Sequence, residues 1–109
     1  MSERIQKVNT LIKKTVAEML TKELDLKLGV FLTVVKVDTS PDLRYTKVFI
    51  SVFPEKEIEY TRKALKNELY KIQGGLNRKL HMKPIPRIQF SIDTTEAEAD
   101  IIEKLLREI

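Results

Sequence analysis

The chain has 109 residues, 42% of them apolar and 33% charged, which suits one domain with a single core and a heavily ionised surface. It has no cysteine, which excludes disulfides, thiolate metal sites and a thiol nucleophile, and no apolar run approaches the roughly 20 residues of a membrane span. The formal charge of +4 is unevenly spread: residues 62–87 hold eight bases and one acid, residues 94–109 five acids and two bases.

The opening stretch MSERIQKVNTLIKK mixes charged and apolar residues and has no signal-peptide core, so the expected location is the cytoplasm. Ile5, Val8, Leu11/Ile12, Thr15/Val16, Met19/Leu20 and Leu24 recur at helical spacing. They predict a long amphipathic helix with Ser2 as candidate N-cap. Asp25 to Gly29 is its exit, with Gly29 the expected chain reversal. Phe31 to Asp38 is β-branched and apolar, a strand by composition. Thr39-Ser40-Pro41-Asp42-Leu43 carries turn chemistry, since proline presets φ and Ser and Asp bond nearby amides. Arg44 to Phe53 is the second strand, with Thr46, Val48, Ile50 and Val52 on one face. So short a connection predicts an antiparallel pair.

From Glu57 the period becomes helical. Ile58, Leu65, Leu69, Ile72, Leu76 and Leu80 share one stripe, and its phase does not reset at Gly74-Gly75. The expectation is two helices joined by a bend at the glycines, packed on one sheet. Ile88, Phe90 and Ile92 alternate with Arg87, Gln89 and Ser91 as a third strand. Thr95-x-x-Glu98 reads as a capping box opening a C-terminal amphipathic helix. The whole chain, 1–109, reads as one α+β domain with a small three-stranded sheet packed by helices.

The basic block 62–87 points toward a polyanion, most often nucleic acid. At about 100° per residue the outward helix face carries Lys63, Asn67, Tyr70, Lys71, Gly74, Arg78 and His81. Gly74, without a side chain, admits another backbone closely. A helix starting after it would offer free N–H groups to phosphate. Lys71, Arg78, Lys79 and Lys83 are candidate neutralising charges, and Tyr70 and His81 candidate stacking faces. The competing account of the glycines is structural: they bend the chain so that Leu76 and Leu80 reach the core.

The order α-β-β-α-(kink)-α-β is that of a type II KH domain, yet the GxxG loop usual there is absent at Ile72-Gln73-Gly74-Gly75. The chain resembles instead the ribosome-binding factor A family, which replaces that loop by a bend of Ala/Ser-x-Gly type. Three stretches carry the likeness: RIQKVNTLIKKTVAEML (Arg4–Leu20), VVKVDTSPDLRYTKVFISVF (Val34–Phe53) and GGLNRKLHMKPIPRIQFSID (Gly74–Asp93). Ile72 stands at the family's small position, Gly75 where a large apolar residue is usual, and Asn77 where a base is common. The resemblance implies a KH-like fold with an additional C-terminal helix, and a factor that binds the small (30S) ribosomal subunit and assists 16S rRNA maturation, associated with growth in the cold. It implies no enzyme activity, no cofactor and no small-molecule substrate. The RNA-contacting residues it suggests, joined to the basic face, are Lys63, Lys66, Tyr70, Lys71, Gly74, Gly75, Asn77, Arg78, Lys79, His81, Lys83 and Arg87. Arg4, Lys7, Lys13 and Lys14 extend the basic surface along the first helix. A monomer is the default expectation.

Other residue types suggest no chemistry. His81 is the only histidine and has no cysteine or second histidine to share a metal. Asp38, Asp42 and Asp93 read as turn and strand-end residues, and Ser40 lacks a base. Tyr45, Phe49 and Phe53, on one strand face, are expected in the core or beneath a helix rather than as a stacking platform. The rival function is a small α+β interaction domain whose basic face binds an acidic protein.

Overall fold

In a computed structural model of the chain, residues 3–92 are described; Ser2 and the expected C-terminal helix lie outside them. Helix α1 (Glu3–Glu23) buries Val8, Ile12, Thr15, Val16, Met19 and Leu20, the stripe its spacing dictates. Gly29 turns the chain with φ of 90°, a left-handed conformation that costs glycine little. Strands β1 (Phe31–Thr39) and β2 (Tyr45–Phe53) pair antiparallel from Phe31↔Phe53 to Thr39↔Thr46, with a bulge between Val34 and Lys36. A single 3-10 turn (Glu55–Glu57) leads into helix α2 (Ile58–Lys79), and strand β3 (Arg87–Ile92) then pairs parallel with β2. The sheet order is β1-β2-β3. Both helices pack against the sheet, and their side chains meet Val34, Val48, Ile50 and Ile88 in one core. No helix among the described residues is long and apolar enough to cross a membrane.

The turn Ser40–Arg44 is built as its residues require. The Ser40 hydroxyl donates to Asp42 Oδ1 at 2.6 Å, and the same oxygen accepts from the Arg44 amide at 3.1 Å. These bonds, the serine hydroxyl first, hold the Asp42 carboxyl below its ordinary value of 3.8. Leu43 sits at φ of 61°, where a branched residue carries about 1–2 kcal/mol of strain. Its side chain is buried, and that burial, about 1.5–3 kcal/mol, offsets the strain.

Two expectations need correction. The expected order of elements holds, but the helical segments before and after Gly74-Gly75 run on as one helix, α2, so no second helix N-terminus opens there. The amides after Gly74 therefore belong to the i→i−4 ladder and do not offer the free anion-binding donors expected of them. Packing of Ile72 and Leu76, both fully buried, outweighs the roughly 1 kcal/mol each glycine costs a helix. Second, Tyr45 and Phe53 are not core: they are 48% and 68% exposed, because Thr46, Val48 and Ile50 take the inward positions of β2. Phe49 is half-buried on the same outer face, beneath the Lys36 ammonium at 4.6 Å from the ring centre.

Candidate nucleic-acid interface

The end of α1 and the C-terminal half of α2 enclose an open groove of about 440 Å³. Met19, Lys22 and Glu23 form one wall; Tyr70, Lys71, Gly74, Gly75, Arg78 and Lys79 form the other and the floor. Lys22, Lys71, Arg78 and Lys79 thus ring it with four cations against one acid, Glu23. Lys71 has a loose link to Glu68 at 3.9 Å; among the described residues no ion pair holds Lys22, Arg78 or Lys79. A groove ringed by cations, three of them without an ion pair among the described residues, carries a concentrated positive field that attracts an anionic chain.

The two glycines have different roles. A Cβ on Gly74 would stand 3.5 Å from Arg78 Nη1, an ordinary contact, so the Arg78 guanidinium lies over the glycine one turn earlier. A Cβ on Gly75 would run into the Met19 methyl group. Gly75 is buried, and its missing side chain is what lets α1 seat Met19 against α2. Gly75 also lines the groove, and beneath Met19 it holds the groove's walls together. Gly74, half-buried, keeps its place on the floor.

The other expected residues divide by position. Lys63 and Lys66 are exposed on α2 upstream of the groove, and His81 and Lys83 are exposed beyond the helix end; none lines it. Asn77 lines the groove, but its Oδ1 accepts from Gln73 Nε2 at 3.1 Å. Arg87 begins β3, opposite Tyr45 on the sheet, and is not brought to the groove. Of the first-helix bases, Arg4, Lys7, Lys13 and Lys14 are exposed but do not line it either.

Two participants escaped the sequence reading. Lys22 reaches the groove because Met19, one turn earlier, is fixed on Gly75; nothing in the spacing of either helix announces that crossing. Gln73 donates to the Pro86 carbonyl at 3.1 Å and accepts from the Ile88 amide at 2.8 Å, clamping the free edge of β3 to α2. A glutamine imitates a neighbouring strand here, at a separation of 13 and 15 residues that leaves no periodic trace.

The profile of the ribosome-binding factor A family matches residues 4–106. The chain belongs to this family. Ribosome-binding factor A of Thermodesulfovibrio yellowstonii is 34% identical over 108 residues, spanning 98% of this chain and 91% of the relative. The crystal structure of ribosome-binding factor A from Thermus thermophilus superposes with a TM-score of 0.70 at 26% identity, over 81% of this chain and 93% of that one. A Thermus thermophilus ribosome-binding factor A homology model, fitted into a cryo-EM map of a 30S complex, gives 0.65 at 26% identity over 78% and 90%. The KH-like α+β fold expected from the chain's order of elements is thus the family's fold. The family consists of binding factors, and the chain is not an enzyme.

Proposed function

We propose that this protein binds RNA of the small (30S) ribosomal subunit during assembly and assists 16S rRNA maturation, including in the cold, as a cytoplasmic monomer. The observation that carries the reading is the glycine-floored groove ringed by Lys22, Lys71, Arg78 and Lys79. Gly74 gives a sugar–phosphate chain close access, and the Arg78 guanidinium above it is shaped to take two phosphate oxygens at once. Tyr70, 90% exposed on the rim, offers a ring to a neighbouring base. Lys63 and Lys66 extend the phosphate track along α2, with His81 and Lys83 continuing it past the helix end. Family membership supports the choice of the ribosome as partner, as does the fit of the Thermus thermophilus factor to a 30S complex.

Lys71→Glu combined with Arg78→Glu reverses two of the four cations at exposed sites. Co-sedimentation with purified small subunits is expected to fall at least about ten-fold, while the thermal melt stays near that of the parent. Undiminished co-sedimentation by a folded double variant would move the site off this groove.

A further inference from the structure

Among the described residues the helices cover one face of the sheet only. The other face presents aromatic rings interleaved with cations. Phe31 and Phe53 are cross-strand partners, 65% and 68% exposed. Lys36 stands opposite Phe49 in register, and the Lys36 and Lys47 ammonium groups lie 4.6 and 5.9 Å from its ring centre. Tyr45, 48% exposed, pairs with Arg87 of β3. The three strands hold these three cations and one acid, Asp38. Tyr45 and Phe53 are eight residues apart, so the row of rings spans roughly 27 Å at 3.4 Å per residue.

We propose that this face is a second nucleic-acid surface, on which the bases of a single-stranded RNA segment stack. The proposal rests on the RNA-binding reading and adds a contact on the side of the sheet away from the α1–α2 groove. Phe31, Phe53 and Tyr45 supply the stacking planes, and Lys36, Lys47 and Arg87 reach the phosphates between them. An apolar protein partner would bury these charges unpaired, at high cost. An acidic peptide would answer the cations but leave the rings without a complement. A single strand answers both, since every base has a π-face and every linkage a negative charge. The bridging lysines over Phe49 are compatible with this: cation–π contacts at exposed sites are weak enough to yield to a phosphate.

The test uses the full chain and a fluorescein-labelled oligouridylate, followed by anisotropy, with poly-L-glutamate as the base-free polyanion. Phe31→Ala with Phe53→Ala is expected to weaken oligouridylate binding at least about ten-fold. Both side chains are mostly exposed, so the melt should stay close to the parent's. In the parent, the ring resonances of Phe31 and Phe53 are expected to shift on adding oligouridylate and to stay still on adding poly-L-glutamate; this readout needs no variant. Unchanged affinity in the phenylalanine variant, or rings unmoved by bound oligouridylate, overturns the proposal. If small-subunit co-sedimentation still depends on Lys71 and Arg78 in that case, only the sheet face is lost and the proposed function stands. If the parent binds neither oligouridylate nor small subunits, both fall.

Discussion

At the level of single residues, Gly74 and Gly75 are adjacent yet answer to opposite constraints. Neither has positive φ; among the described glycines only Gly29 does, so backbone freedom explains neither. Gly74→Ala places a methyl group in ordinary contact with Arg78 and removes a helix-weakening residue. It is expected to raise stability by up to about 1 kcal/mol, read by chemical denaturation. Gly75→Leu drives a side chain into Met19 and separates α1 from α2. Overpacking costs about 1–3 kcal/mol, more than the propensity gained, so this variant is expected to be the less stable. Stability changes of the same sign in both variants would contradict the division of roles. The sequence showed that the pair is unusual and that Gly74 faces outward; it could not show Met19, because the crossing point of two helices is a tertiary fact.

Among the elements, β3 depends most on one side chain. As an edge strand it has β2 on one side and, on the other, the Gln73 amide, which meets both Pro86 O and Ile88 N. Gln73→Ala leaves a part-buried donor and acceptor unmet, at a cost of about 1–3 kcal/mol. Amide exchange at Ile88 is expected to accelerate more than at Val48 in β2; equal acceleration at both would make the loss global and the clamp unimportant. The strands themselves were legible, because alternation along Tyr45–Phe53 separates Thr46, Val48 and Ile50 from the aromatic face. Which set faces the core was not legible for Tyr45 and Phe53, since both sets are apolar enough to fill one. The helix stripe through Leu65, Ile72 and Leu76 was legible for the same periodic reason, but its continuity was not. Propensity penalises two glycines locally, whereas the burial that overrides them is distributed along the whole helix.

Over the molecule as a whole, the formal charge of +4 says less than where the cations stand. Lys22 and Arg78 come from different helices and meet at one groove; Arg4 and Lys7 occupy the far end of α1, Lys7 being roughly 22 Å from Lys22 at 1.5 Å per residue. Lys22→Gln with Arg78→Gln and Arg4→Gln with Lys7→Gln lower the formal charge by the same two units. If overall attraction governed binding, both variants would lose equally. If the groove makes the phosphate contacts, each cation removed there releases one fewer counterion. The plot of log affinity against log salt then flattens by about 0.7 per residue for single-stranded RNA. The expected outcome is a slope reduced by roughly 1.4 for the groove variant and little changed for the far-end variant, in small-subunit binding measured from low to high salt. Lys7 is already partly compensated by Glu3 at 3.5 Å, which reinforces the contrast. Equal slopes in the two variants would mean that the protein approaches its partner as a diffuse positive body, and the convergence of α1 and α2 on Gly75 would then serve packing alone.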